Sequence, residues 1–518
     1  MKNIHRILGM AAVISLTLPA CNKMLEPTPY GQQTIDASFT SFGGTLNAVN
    51  GMYNPLIGGN LYRGNNALLY VDYASDDVMG GESRLTSSNY NLLDYFELQP
   101  DNQQPRDIWE DLYRVIYRAN VVIERVPSLV LAPGQALNSA NRPFKDQFVG
   151  EARFLRAFAY FNLVRLFGDV PLHVTPITSP GQVNIPRTPA NVVYNQIIED
   201  LTQAAELLPG GQSGSNPGNE PGRPVSGSAK AMLADVYLTL KQYEDARRTA
   251  QEVITGSGKR LNDTYVANFP GRGGMENSPE SLFEIQFSNG GATGGTALLG
   301  NNYGFIMGGA SETNSGNSGS LASYRPTDNE NTDNEAGFTG GLIQEYEEGD
   351  LRRDVSFQRT LGSLTQQRWL TWKHHVLGSG AVGQSNFPIY RLAEVYLIYA
   401  EASNEQGLLD ATGLEYLNQL RRRAFGLPLT TAGERDIAGG LTQEQYRDII
   451  RSERRKELAM ENKRWFDLQR YGADYANQVL KVNQGRENFT PEKLLLPISR
   501  IELINNPRLE QNPGYPGR

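Results

Sequence analysis

A side chain does chemistry only in company, so the first question is which reactive types this 518-residue chain brings together. It has one cysteine, Cys21, and four histidines, of which His374 and His375 are adjacent. On a strand, neighbouring side chains point to opposite faces, so this pair cannot chelate one ion. No HExxH and no second cysteine completes a zinc site. There is no GxSxG turn to expose a serine nucleophile and no Walker-type loop to cradle a phosphate. Two carboxylates about 5 to 9 Å apart would suit glycoside hydrolysis. The chain has 56 acids, and no spacing singles out such a pair. Asp328–Glu335 (DNENTDNE) offers calcium-ligand types, with four acids in eight residues. It lacks the sixth-position glycine of an EF-hand loop, so a solvated acidic loop is expected. Arg451–Arg470 looks like a basic patch until its acids are placed. Glu453, Glu457, Glu461 and Asp467 are interleaved with the bases, with Glu453–Lys456 and Glu461–Arg464 at i,i+3. Trp465, Phe466 and Leu468 give it a buried side, so one salt-bridged structural helix is expected there. No catalytic residue, no metal site and no cofactor is expected.

The cysteine has a different role. Lys2 and Arg6 precede an apolar run, Ile7–Leu18, that is too short to span about 30 Å of hydrocarbon and has the length of a secretory segment. Leu18-Pro19-Ala20-Cys21 follows, the pattern of a lipoprotein cleavage site. Residues 1–20 are expected to be removed and the Cys21 thiol to carry a diacylglyceryl group. Losing Lys2 and Arg6 and no acid takes the net charge from −8 to −10. A net charge this acidic argues against a nucleic-acid partner, whose binding needs clustered Lys and Arg to release counterions. Hydrophobic residues at 39% are enough for a sizeable core, and the 53 glycines and 28 prolines announce long loops.

The elements that carry these residues are mostly helices. Trp109, Tyr113, Ile116, Asn120 and Ile123 form one stripe of a helix that Pro127 ends. Glu151–Phe167 (EARFLRAFAYFNLVRLF) is apolar nearly all round, with Arg153, Arg156 and Arg165 interspersed, so it should be buried on several sides. Gly168 supplies its stop, and Thr188-Pro189 reads as the N-cap and first position of the next helix. Ser226–Leu240 and Tyr243–Ile254 interlock alanines with larger residues in the manner of a tetratricopeptide pair. Ile389–Glu405 with Thr412–Phe425 reads as a second such pair, and 144–167 with 189–208 as a third. Residues 210–222 are a linker by composition. Ser281–Phe287 and Gln367–Val376 read as strands. Residues 290–319 hold ten glycines in thirty positions, and 60–105 is a second irregular region rich in Asn, Asp and Tyr.

Five stretches, in order, resemble the SusD/RagB family of surface nutrient-binding lipoproteins. Glu151–Pro171 is similar to its hallmark helix, and Trp109–Asn120 to its W-x-x-x-Y-x-x-I-x-x-A-N helix. Tyr390–Ala402 (YRLAEVYLIYAEA) resembles its R-x-A-E helix. Glu453–Gly472 resembles its E-R-x-x-E…R-W-F-D-L block, and Leu496–Tyr515 its closing segment. The family often has Gly where Asn462 stands; Asn is the next residue most tolerant of a left-handed backbone. It also has a second Pro where Ser499 stands. The resemblance implies a mainly α fold, a tetratricopeptide-like scaffold with long loop inserts and a few short strands. It implies an outer-membrane lipoprotein facing the exterior and a TonB-dependent, SusC-like β-barrel transporter as partner. It also implies a glycan, or another small nutrient, as ligand.

The expected organisation is a signal peptide over 1–20 and one lobe over 21–518. Helical scaffold covers about 106–260 and 386–472, ligand-facing loops about 60–105 and 262–385, and a closing segment about 490–518. Sugars present C–H faces to aromatic rings and hydroxyls to Asn, Asp and Arg. The candidate ligand residues are therefore Arg84, Asn89 and Tyr90 in the first loop region, and Asn302, Tyr303, Tyr324 and Arg325 in the second. Trp109 and Trp465 belong to scaffold motifs and should be core. Trp369 and Trp372 fall on opposite faces of one strand, so at most one faces a ligand. Two other functions compete: a secreted glycoside hydrolase, and a tetratricopeptide-type module that binds only protein.

Overall fold

The computed structural model describes residues 35–63, 68–79, 89–132, 134, 136–137, 143–210, 221–287, 325–329, 339–359, 369–374 and 385–517. Helix α1 (Gln103–Arg125) buries Trp109, Leu112, Val115, Ile116, Ala119 and Val122 along one stripe. That stripe lies on α2 (Phe144–Phe167), which is buried almost all round as its sequence predicts. Its arginines show how a charged helix survives burial. Arg156 grips Asp200 of α3 (Ala190–Leu207) through two hydrogen bonds of 2.7 and 2.8 Å, and Arg153 adds a third of 2.8 Å. The Arg165 guanidinium lies 3.6 Å from the Phe161 ring centre and 3.7 Å from that of Phe466. Each charge is thus paired or stacked before it is desolvated.

Gly168 ends α2 with φ of 71°, the left-handed turn expected of it. The start of α3 differs from expectation. The Thr188 backbone is committed to an antiparallel bridge with Val170, and the first free N–H of α3, on Ala190, donates to the Asp169 carboxylate at 2.8 Å. A residue 21 positions away caps this helix, which no local pattern reveals.

The two further pairs form, the second starting at Leu392 rather than Ile389. Helices α4 (Ser226–Thr239) and α5 (Tyr243–Gly256) meet at the fully buried Ala229, Ala246 and Ala250. Helices α6 (Leu392–Glu405) and α7 (Ala411–Ala424) make the next pair. Each helix from α1 to α7 packs on its predecessor. Every helix pair therefore buries its apolar face on the next, as in a solenoid. Among the described residues, no helix is long and apolar enough to cross a membrane.

Helix α8 (Gln443–Glu457) starts in a capping box between Thr442 and Gln445 and packs on α6. It does not run on to Arg470. The chain turns at Met460 (φ 62°) and Asn462 (φ 57°) and resumes as α9 (Arg464–Tyr471). The single helix expected over 451–470 is two, because Asn462 takes the left-handed backbone that the family's Gly would take there.

Strands are short and pair antiparallel: β1 (Val78–Met79), β2 (Ser281–Ile285), β3 (Arg325–Pro326), β4 (Phe357–Arg359), β5 (Trp369–Thr371) and β6 (Phe387–Arg391). The ladders join β1 to β3, β2 to β6 and β4 to β5. Strand β6 takes the first three residues of the predicted Ile389 helix, since Phe387-Pro388-Ile389-Tyr390 lies against the fully buried β2. The strand read over 367–376 is confined, among its described residues, to 369–371.

The motif residues meet in buried charge clusters. Arg391 reaches Glu280 (2.8 Å), Glu457 (3.1 Å) and Glu461 (2.7 Å). Arg423 reaches Glu280 and Glu457 at 2.5 and 2.6 Å. Arg454 holds Asp467 (2.8 Å) and Glu394 (3.0 Å). Lys456 pairs with Glu453 at 2.9 Å as its i,i+3 spacing predicts. Glu461 does not pair with Arg464: it takes Lys373 (2.6 Å) and Arg391, while Arg464 turns to Asp76 (2.7 Å). Distant partners win because these groups are buried, and a buried carboxylate needs the closest available cation.

Candidate functional site

The described flanks of the two loop regions are tied together. Met79 of β1 is the register partner of Arg325 of β3, and Val78 that of Pro326. The loop following Met79 and the segment preceding Arg325 thus leave from one ladder. Thr327 extends it: its N–H donates to Asp77 O at 2.9 Å and its hydroxyl to Asp76 O at 2.8 Å. Strand β5 packs against β3, so the β4–β5 hairpin roots at the same place.

Two adjacent acids anchor this root. Asp76 takes two hydrogen bonds from Arg464, at 2.7 and 2.8 Å, and Asp77 takes one from Arg455 at 2.6 Å. Arg455 and Gln484 also donate to Asp76 O, and Arg486 to Val78 O. Burial alone would raise the Asp76 carboxyl; the Arg455 and Arg464 guanidiniums outweigh it and hold the group well below its usual range. For Asp77 burial wins, helped by the neighbouring Asp76, and its carboxyl is pushed up to about 6. Residue reading missed Asp76 and Asp77. Their partners lie nearly 400 positions along the chain, and the only local sign is a pair of adjacent acids in an irregular segment.

At the hairpin, the half-buried Trp369 ring has the Arg353 guanidinium 5.6 Å from its centre. Trp372 lies past the strand end, 9% exposed, with Arg272 at 5.3 Å. The two rings have different cationic neighbours, and of the two only Trp369 lies in the strand. Trp109 and Trp465 are core, at 5% and 0% exposure. The Nε2–H of His374 donates to Met460 O (2.9 Å) and its ring lies on Phe387. Burial, then the neighbouring Lys373, lowers His374 to about 4, so it is a neutral core residue. Asp328 accepts from Gln344 at 2.5 Å and the Asn329 side chain accepts from Gly341 N at 2.8 Å. The rest of the acidic run to Glu335 lies outside the described residues, as does His375. Among the described residues, no three His, Cys, Asp or Glu groups converge as metal ligands.

Of the candidate ligand residues, Asn89 and Tyr90 open a short helix, Asn89–Asp94, and Arg325 lies in β3; these are backbone placements. Arg84, Asn302, Tyr303, Tyr324 and the lipidation residue Cys21 lie outside the described residues. A groove that residue reading did not find runs beside α1. It has about 730 Å³ and is lined by Trp109, Tyr113, Tyr117, His173, Asn184 and Asn505 among others. Its signal was hidden because Trp109, Tyr113 and Asn120 also serve the packing stripe.

Residues 330–515 match the model of the SusD family, and residues 29–238 match a second model described as starch-binding, associating with outer membrane. The chain belongs to the SusD/RagB family. It is 29% identical to SusD-like protein P2 of Formosa agariphila, over 97% of this chain and 98% of that one. It superposes on a laminarin-binding SusD-like protein with a TM-score of 0.72 at 25% identity, covering 92% of this chain and all of the other. Surface glycan-binding protein A from Bacteroides fluxus has the same fold, with a TM-score of 0.73 at 24% identity over 92% of this chain and 100% of its own. The mainly helical architecture read from the residues is thus the SusD architecture.

Proposed function

We propose that this protein is a non-catalytic surface receptor for oligosaccharides. It is held in the outer membrane by lipid on Cys21, faces the cell exterior, and delivers its ligand to a TonB-dependent, SusC-like barrel. The observation that carries the glycan reading is the Met79–Arg325 register, which joins the roots of two loop regions, the first rich in asparagine, aspartate and tyrosine and the second in glycine and asparagine. Family membership and a laminarin-binding relative support the ligand class. In this reading the helical stack is scaffold, residues 60–105 and 262–385 carry the ligand surface, and 490–518 closes the lobe. Arg84, Asn89, Tyr90, Asn302, Tyr303, Tyr324 and Arg325 supply rings and hydrogen bonds to the sugar.

The test is calorimetry of the mature chain against a panel that includes laminarin and starch oligosaccharides. Tyr90→Ala, Tyr303→Ala or Tyr324→Ala is expected to lose about 1–3 kcal/mol of binding, by analogy with base–aromatic stacking. Thermal stability should hold, because loop substitutions outside the core are near neutral. Wild-type affinity in all three would move the site to Trp369, Trp372 or the α1 groove. No binding to any glycan, or turnover of one, would overturn the reading.

A further inference from the structure

A second, smaller cavity lies where the α4–α5 turn, α6, α8 and α9 meet. It has about 150 Å³, and its charged lining is Lys241, Arg447, Arg451, Arg470, Glu401 and Glu405. Four cations face two carboxylates, in a chain whose net charge is −8. Both carboxylates are already engaged. Arg447 takes Glu405 through two parallel hydrogen bonds of 2.6 and 2.9 Å. Arg470 takes Glu401 in the same two-pronged way and also reaches Asp467. That leaves Lys241 and Arg451, neither of which has a carboxylate within 4.0 Å among the described residues.

Arg451 is nevertheless held in place. Its guanidinium lies 4.2 Å from the Tyr471 ring centre and 4.8 Å from that of Tyr475. The two rings meet each other edge-on at 81°, and cation–π contact with them holds the guanidinium while leaving its N–H groups able to donate. Lys241 is held at a cost. It occupies the turn after α4 with φ of 58°, and the turn is closed by Lys241 N to Leu238 O and Gln242 N to Tyr237 O. Glycine is the usual residue at such a helix stop, and a side chain there is strained. The fold thus keeps a cation where glycine would be easier, beside an arginine with no acid partner. The volume equals that of about five waters, room for one tetrahedral or planar oxyanion and part of its hydration.

We propose that this cavity binds a single oxyanion group, sulfate, phosphate or carboxylate, with Arg451 and Lys241 as its donors. Arg451 supplies a fixed fork, Lys241 a mobile charge at the mouth, and the bidentate pairs of Arg447 and Arg470 form the walls. The site shares no residue with the loop roots, so the glycan reading and this one fail separately.

Sulfate is the first probe, titrated calorimetrically into the full mature chain at constant ionic strength set with sodium chloride. Saturable one-to-one binding is expected. Arg451→Gln should weaken it about tenfold or more, since a charge-assisted fork is lost, and Arg451→Lys should fall between. The sharpest arm is Lys241→Gly, which should raise the melting temperature by relieving the turn while weakening sulfate binding. A purely structural lysine would not separate those two readouts. Glucuronate and N-acetylaspartate, titrated alongside, distinguish a sugar-borne or peptide-borne group from the free ion by the order of affinity. Absence of saturable binding of all three probes to the wild type, or equal affinities in wild type and Arg451→Gln, would overturn the proposal.

Discussion

Asn462 shows how much one side chain can be asked to tolerate. Its φ is 57°, its N–H donates to Asp72 at 3.1 Å, and its buried side-chain oxygen has no hydrogen-bond partner among the described residues. A left-handed backbone costs a residue with a Cβ roughly 1–2 kcal/mol, and asparagine tolerates it better than most. Asn462→Gly removes both the strain and the unsatisfied oxygen and keeps the backbone hydrogen bond. It should stabilise the fold by up to about 1 kcal/mol in urea unfolding. Asn462→Val should destabilise it by about 2 kcal/mol. If the glycine variant is the weaker of the two, the left-handed turn does not govern this position. The aromatic candidates Tyr90, Tyr303 and Tyr324 belong to the same scale, because removing one ring tests one contact.

At the scale of elements, the joint between β6, α7 and α8 is electrostatic. Arg391 leaves β6 to meet Glu280 from the partner side and Glu457 and Glu461 from α8 and the turn beyond it. Arg391→Ala would take one shared cation from three carboxylates, each at most 3% exposed, leaving Glu280 and Glu457 to Arg423 and Glu461 to Lys373. Breaking one side of a buried pair typically costs 3–5 kcal/mol, about that much here. Arg248→Ala is the control: this α5 arginine is 57% exposed with pairs at i,i+3 and i,i+4, so its loss should cost no more than about 0.5 kcal/mol. Equal midpoints for the two variants in guanidinium unfolding would refute the view that these motifs hold the fold together. Within this joint the hydrogen bonds of the buried motif charges are spent on one another.

For the molecule as a whole, the buried charges set the response to acid. Burial opposes ionisation of Glu461, but Arg391 and Lys373 more than offset it and bring the carboxyl down to about 2 from 4.5. Its contribution, on the order of 3 kcal/mol, is present above pH 4.5 and lost as pH falls toward 2. His374, lowered to about 4 from 6.5, acts in the same direction: its stability is complete above 6.5 and lost as pH falls through 4. Stability should therefore decline from about pH 6.5 and steeply below 4.5. Glu461→Gln should flatten the lower part, measured by urea unfolding across that range. Asp77, raised to about 6, opposes the trend between 3.8 and 6. A curve with no loss below pH 4.5 would contradict this pairing. In the cell, Cys21→Ala should release a folded protein from the membrane. The lipidated form should leave the membrane with a barrel across an interface of about 2,000 Å² or more. Mass spectrometry that finds residues 1–20 intact, or a lone monomer at every salt concentration, would sink that part of the reading.

Periodicity made the helix pairs legible. Ala229, Ala246 and Ala250 are fully buried where the spacing puts them, because a helix repeats every 3.6 residues whatever surrounds it. The residue pattern reads straight through the break at Asn462 as one helix over 451–470, with only the resemblance's glycine pointing to a left-handed backbone there, while the motifs at Trp109, Glu151, Arg391 and Glu453 carry the family. What tertiary structure alone decided was partnership. Glu461 reads as a partner for Arg464, three residues on, yet pairs with Lys373 and Arg391. Asp169 caps a helix whose own N-terminus offered Thr188. Asp76 and Asp77 wait for arginines nearly 400 residues away. Charges and cap groups act over a few ångströms of space, and sequence distance sets that spacing only within one element. Between elements, packing sets it, and so the loop roots, the α1 groove and the Arg451 cavity became visible only in the folded chain.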